Sequence, residues 1–526
     1  MQGSGMRSLF ILSVLWGALI FWMAPHPPMI DLPQHAGQVA LLRDMLTGQS
    51  PWASFFRINL FTPYIIGYGL ALPLSFFMPI AAALKLMLSL AYIAFVFMCV
   101  KLRQHYGADA RLDWLFLVSF FGLAYIWGFF TFLVASPIGL WFILLADLYA
   151  QNPTFKRALG LTVVGLIMLI SHGLVFIFAS TVGGILLISQ CSSGKAFIAA
   201  VWPYLILLFT CCAYFLVSRQ MNIGMSSYLA HIFTWGVSWT RIPKLFLCTI
   251  SSDSGDFLKS SSYILMAVVM AIVLMPWLMG LRINWQKKST WIPFAVVLAI
   301  MLAVPAFAFS TAFLYQRFAL FLLPAYAWMF TRNVASDLPD VKPAANTLLL
   351  QSRLGARLAL PLLIILCLSI LSVKSISSWK FGHETADIDS IISTLEPKHR
   401  AANLLFYRDS VADGNAKIYA HYPAWYQAEK QGLVDFNFAW FPPQIVRYRP
   451  DHLPAITPED DWRPDRFGWL KNRGSDYTYF FVRQIAEPGK AMPKDLFKGA
   501  DCRPEGLITR GTWTIFRQQN CALTKQ

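Results

Sequence analysis

The sequence predicts a polytopic α-helical membrane protein of about eleven to thirteen spans, followed by a soluble, mixed α/β C-terminal domain. Three observations predict it. The 526 residues are 57% hydrophobic and 13% charged, where soluble domains average about a quarter charged. Twelve apolar runs are spaced along the first 375 residues. The acids are also segregated: residues 1–383 hold no glutamate and nine aspartates, and the other 18 acids lie from Glu384 onward. Such a composition excludes a disordered chain, a coiled coil and a cytosolic enzyme.

The runs lie near 8–24, 61–78, 80–100, 114–131, 133–149, 158–171, 173–190, 197–217, 261–281, 291–309, 312–331 and 355–375. A spanning helix needs about 20 mostly apolar residues, because lipid offers no partner to an open backbone group. The first run ends in Ala24-Pro25-His26-Pro27, which has no small-x-small cleavage site, so it reads as a retained span. Residues 1–379 then form the membrane part, with a first outside loop at 25–60, and 380–526 form the soluble domain.

Lys and Arg number 24 up to residue 383 and 19 beyond it, against nine and 18 acids. The net +16 therefore belongs to the membrane part and marks membrane sidedness, not a nucleic-acid partner. Clusters at Lys156-Arg157, at Arg282 with Lys287 and Lys288, and from Arg332 to Arg357 predict the cytoplasmic face. The N-terminus is then inside and the C-terminal domain outside, which requires an odd number of crossings. Lys101, Arg103 and Arg111 also call for the cytoplasm. That placement needs a re-entrant segment in 61–100 or an extra crossing in 113–150.

Six cysteines lie in or beside apolar runs and read as small buried hydrophobes. Cys502 and Cys521 flank the strand-like Gly506–Arg517 stretch and suit a disulfide in an oxidising compartment. In the C-terminal domain, Ala402–Tyr407, Asp476–Arg483 and Thr512–Arg517 carry strand patterns.

A membrane region without glutamate keeps few acids able to do chemistry. Asp337 and Asp340 fall in a cytoplasmic linker, and Asp253 and Asp256 in a Ser/Gly-rich outside loop. Asp147 reads as interfacial, Asp44 as the wet face of a helix, and Asp109 and Asp113 as caps. Asp31 stands apart. It follows the first span in Asp31-Leu32-Pro33-Gln34-His35 and opens a helix running to about Thr47. Leu32, Ala36, Val39 and Leu46 recur at helical spacing, which predicts an amphipathic helix lying in the membrane interface. Asp31 is a good N-cap before Pro33, and it is equally placed to take a proton from an acceptor hydroxyl. With His35 one turn on, it offers two ligands to a divalent cation, and no fuller metal set is present.

This arrangement resembles the glycosyltransferase C (GT-C) superfamily, bacterial polytopic inner-membrane enzymes that use polyprenyl-phosphate sugars. In that family the first span is followed by a large outside loop with a catalytic Asp and an interfacial helix. Phe61-Thr62-Pro63-Tyr64, Ser171-His172-Gly173 and Tyr315-Gln316-Arg317-Phe318 fit it more loosely. The membrane part has no DxD, and the one in the chain, Asp387-Ile388-Asp389, opens the soluble domain. A second-loop acid found in some members matches Asp109 or Asp113. The resemblance implies inverting transfer of a hexosyl or pentosyl group to a periplasmic glycan, lipid or protein, with Asp31 as base. It also implies that cations hold the leaving phosphate, for which Arg317, then Arg241 and Lys244, are placed. His35 and His172 join them as substrate-binding candidates. The resemblance requires no cofactor, and a divalent cation stays an alternative. Two other classes compete: a non-catalytic transporter or scaffold of envelope assembly, and an O-antigen polymerase or ligase. The transporter would show two related halves, and the polymerase a large late outside loop.

Overall fold

Each apolar run contains helix, but most of the helices are shorter than the runs. The computed structural model describes residues 4–221, 233–235, 239–251, 260–308, 311–332, 353–414 and 416–518. Among them four helices are long and apolar enough to cross a membrane: Ile80–Tyr106, Phe130–Gln151, Gly173–Gln190 and Arg357–Glu384. A fifth candidate is the pair Gly194–Ala200 and Trp202–Ser218, bent by 54°. Shorter apolar helices occupy Ser4–Ile20, Ile65–Leu74, Tyr263–Leu278 and Lys288–Ala303. The chain is a multi-pass membrane protein, but eleven to thirteen full-length spans are not found among the described residues.

The shortfall has local causes. Helix Ile65–Leu74 stops one residue after Pro73, and ten residues rise only about 15 Å, half the hydrocarbon thickness. It cannot cross alone, which is the length expected of a re-entrant segment. The run 114–131 splits into Trp114–Ser119 and Leu123–Ile126. At the break, a Cβ on Gly122 would lie 2.5 Å from Cys248 O, and Leu123 N donates to that carbonyl at 3.0 Å. Glycine here lets a second backbone interrupt the helix. The run 312–331 holds a 3₁₀ segment, Gln316–Phe321, and the short helix Leu322–Ala327.

The described residues fall into two units. The first, Met1–Phe21 with Leu88–Ile376, is built on the helices Phe130–Gln151, Phe155–Leu169 and Gly173–Gln190, which pack on one another. Asp147, expected at the interface, is buried in it. The carboxylate takes His105 Nε2 at 2.6 Å, Gln151 Nε2 at 2.8 Å and Gln190 Nε2 at 2.6 Å. A carboxylate with that many donors tolerates burial.

The second unit joins Trp22–Met87 to Ser377–Gln526. Its five-stranded sheet runs in the order Glu505–Arg510, Trp513–Arg517, Tyr479–Arg483, Arg400–Leu405, Leu433–Val434. The first two pairings are antiparallel and the last two parallel. These strands lie where the sequence patterns put three of them. Trp469, Tyr477, Phe480 and Phe497 fill one core. Cys521, the expected partner of Cys502, lies outside the described residues. The free cysteines described are Cys99, Cys191, Cys211, Cys212, Cys248 and Cys367.

Helix Leu32–Leu46 of the first loop corrects the expectation of an interfacial helix. All of Leu32–Leu42 and Asp44 are buried, because the C-terminal residues surround the helix. Gln34 Oε1 accepts from Phe438 N and Gln38 Oε1 from Val446 N, both at 3.0 Å. Strand Phe56–Ile58 pairs antiparallel with Val446–Tyr448. Asp44, expected on a wet face, is buried beside the Arg43 guanidinium at 3.0 Å.

Gly37 is where this helix meets helix Ala424–Lys430. A Cβ there would stand 2.7 Å from Gln427 Nε2, and Gln427 Oε1 is held by Val434 N and Asn437 Nδ2. Gly37→Ala is therefore expected to destabilise the protein by about 1–3 kcal/mol through overpacking. Gly160→Ala, with open space around it, should not. Thermal unfolding of the two purified variants checks this; equal midpoints would refute the close packing.

Candidate functional site

Asp31 occupies the N-cap position of helix Leu32–Leu46, with φ −93° and ψ −5°, but its side chain makes no capping bond. The carboxylate turns instead to His421, whose Nε2 lies 3.5 Å from Asp31 Oδ1. The Asp31 side chain is 14% exposed and that of His421 5%, so the pair is nearly dry and Asp31 is its more exposed member. His421 ends the 3₁₀ turn Ile418–His421, fixed by Pro423 and the following helix.

On the far side of the ring, His421 Nδ1 faces Asp461 Oδ2 at 3.6 Å. Asp461 closes helix Pro458–Asp461, which starts in a capping box of Thr457 with Asp460. Its other oxygen accepts from Asn403 Nδ2 at 3.1 Å. Desolvation dominates both groups. Burial, aided by the Arg408 charge, drives His421 down to about 3. Burial lifts Asp461 to about 7, against the Arg408 charge and the Asn403 bond. The imidazole is walled by Phe436 and Trp462, at 5.8 and 5.9 Å between ring centroids. Arg408 and Lys417 lie 5.0 and 5.8 Å from the Trp462 ring.

His35, expected to work with Asp31, is directed to Tyr68. Its Nδ1 and the Tyr68 hydroxyl are 2.7 Å apart, and Tyr68 passes the chain on to Gln444 Oε1 at 2.7 Å. Burial drives His35 down to about 3, so it is a neutral, structural imidazole.

The remaining sequence-predicted candidates belong to the first unit. Asp109 caps the 3₁₀ turn Ala110–Asp113, accepts from Arg111 N and pairs with Arg111 and Arg332. Asp113 pairs with Arg103 at 2.9 Å. His172 caps helix Gly173–Gln190, its Nδ1 accepting from Leu174 N. Arg241 is buried; its guanidinium donates to the carbonyls of Leu302, Val304 and Trp235 and lies over Tyr315 at 4.2 Å. Arg317 is 6% exposed. It donates to the carbonyls of Phe313 and Ala312 and lies 4.0 Å from the Phe129 ring centroid. Both arginines thus hold unwound backbone together. Lys244 is half-buried on helix Arg241–Leu247. Among the described residues no group of three or more His, Cys, Asp or Glu is arranged to hold a metal ion.

Sequence reasoning missed His421 and Asp461. The aromatic segment His421–Tyr426 was visible, but no spacing connects it to Asp31 across most of the chain. No known family matches the sequence, and no curated protein does. Among solved structures, the chain is similar to the cryo-EM structure of arabinofuranosyltransferase AftD from Mycobacteria. The TM-score is 0.47 at 13% identity over 97% of this chain and 40% of that one. A mutant of that protein in its class 2 form gives 0.48, 13%, 97% and 41%. This chain spans about two fifths of that length, and a likeness of this size carries no argument about activity.

Proposed function

We propose that the protein is an inner-membrane glycosyltransferase of GT-C type. It would transfer a sugar from a polyprenyl-phosphate donor to a glycan, lipid or protein acceptor at the outer face. The carrying observation is Asp31: a carboxylate after the first apolar helix, partly open, with a buried imidazole against it. In one displacement, an acceptor hydroxyl gives its proton to Asp31, its oxygen bonds to the anomeric carbon, and the polyprenyl phosphate leaves with the bonding electrons. The product is inverted. Dry surroundings strengthen each of these charge interactions. Trp462 offers a face for sugar stacking. Arg408 and Lys417 beside it are cations for the leaving phosphate.

The test uses the purified full chain in detergent with synthetic polyprenyl-phosphate hexoses and pentoses. Release of polyprenyl phosphate with any donor supports the reading. No release from the whole panel, with and without a cell-envelope glycan extract as acceptor, refutes it.

A further inference from the structure

Two buried polar atoms behind Asp31 have no hydrogen-bond partner: His421 Nδ1 and Asp461 Oδ2. They face each other at 3.6 Å. An unpaired buried acceptor or donor costs about 1–3 kcal/mol, and a shift of well under 1 Å would satisfy both at once. The other face of the same ring carries Nε2 toward Asp31. Asp31, His421 and Asp461 therefore stand in a row, all in one unit.

We propose that His421 and Asp461 share one proton and thereby present the Nε2–H of His421 to Asp31, holding one of its carboxylate oxygens. This deepens the glycosyltransferase reading and rests on it. His421 and Asp461 are positioning residues; of the three, only Asp31 touches substrate.

The tautomer follows from the charges around the ring. Those facing it are Asp31 from the start of helix Leu32–Leu46, Asp461 from helix Pro458–Asp461, and Arg408 after strand Arg400–Leu405. While Asp461 is protonated, its hydroxyl donates to Nδ1. The single imidazole proton then sits on Nε2 and donates to Asp31. When the shared proton is lost, the Asp461 carboxylate draws the imidazole proton to Nδ1. A lone pair of Nε2 then faces the Asp31 carboxylate, the two repel, and the base loses this hydrogen bond. Burial that lifts Asp461 to about 7 puts this change near neutrality.

The geometry also selects the variants. Asn403 Nδ2 donates to Asp461 Oδ1, so Asp461→Asn keeps that oxygen as acceptor and turns its amide N–H to His421 Nδ1. This variant holds the Nε2–H tautomer at every pH. His421→Gln supplies a fixed N–H donor at the Nε2 position.

The experiment has two arms on the full chain. In the resting protein with ¹⁵N-histidine, the His421 signals are assigned by their loss in His421→Gln. They should report the Nε2–H tautomer below about pH 7, passing to Nδ1–H above it, and no passage in Asp461→Asn. In the kinetic arm, release of polyprenyl phosphate should show a kcat that falls as pH rises through about 7. That limb should be absent in Asp461→Asn with kcat kept within about threefold, and absent in His421→Gln. An Nδ1–H tautomer throughout, or a limb that persists in Asp461→Asn, overturns the inference. A wild type that releases nothing overturns the glycosyltransferase reading, while the ¹⁵N arm still decides the proton-sharing pair.

Discussion

Asp31→Asn is expected to lower kcat about a hundred- to ten-thousand-fold, the contribution of a positioned general base, with KM little changed. Asparagine has the same shape and is as good an N-cap residue, so helix Leu32–Leu46 should keep its start. The side chain makes no capping bond to lose, and its volume is unchanged among its neighbours. Folding and activity are thereby separated: the unfolding midpoint should stay near the wild type while transfer disappears. A drop in kcat and kcat/KM together marks an interaction made in the transition state. Measured on the same synthetic polyprenyl-phosphate sugars, full activity in Asp31→Asn would remove Asp31 from the mechanism.

Asp31 was legible in the sequence because few acids survive in the membrane part and it is the one that directly follows the first span. The C-terminal strands were legible too, since alternation of apolar residues is a local signal. What surrounds Asp31 was not. His35 is one turn away, and helical spacing made it the natural partner, yet tertiary packing gives it to Tyr68. His421 and Asp461 come from the far end of the chain, and a contact between distant segments leaves no period in a sequence. Helix Leu32–Leu46 misled for a related reason. Gln34 and Gln38, one turn apart, gave it a polar edge that suits water, but both bond backbone amides of the C-terminal domain. A polar face that meets a protein reads the same as one that meets solvent. The runs were overcounted as spans because apolar composition does not show where a second backbone, as at Gly122, breaks a helix.

His26 should make the protein lose stability as pH rises from about 7 to 9, and no substitution is needed to see it. Its Nδ1 lies 3.1 Å from Asp389 Oδ1 and its Nε2 2.7 Å from Glu429 Oε1, and Tyr422 OH donates to the same Asp389 oxygen at 2.6 Å. The ring lies against Trp425, with centroids 4.1 Å apart. Desolvation is the largest effect on it and would lower its pKa. The hydrogen bonds and charges of Asp389 and Glu429 together outweigh that and raise it to about 9. A group whose folded value is raised binds its proton more tightly in the native state. Its stabilisation is complete below about pH 6.5, the unfolded value, declines above that and is gone once pH passes about 9. The interval corresponds to roughly 3 kcal/mol at about 1.4 kcal/mol per unit; Glu429 is more than a third exposed, and screening reduces this to about 2 kcal/mol. Asp461 is raised to about 7 and His421 lowered to about 3, so the upper part of the fall, toward pH 9, is the part that His26 carries. His26→Asn should start about 2 kcal/mol less stable at pH 7 and stay level across that part. Unfolding midpoints of the two full chains at pH 7, 8 and 9 decide it: curves that fall in parallel would show that His26 is not the titrating group. The clamp ties the residues just after the first apolar helix to the helices that carry Asp389 and Glu429.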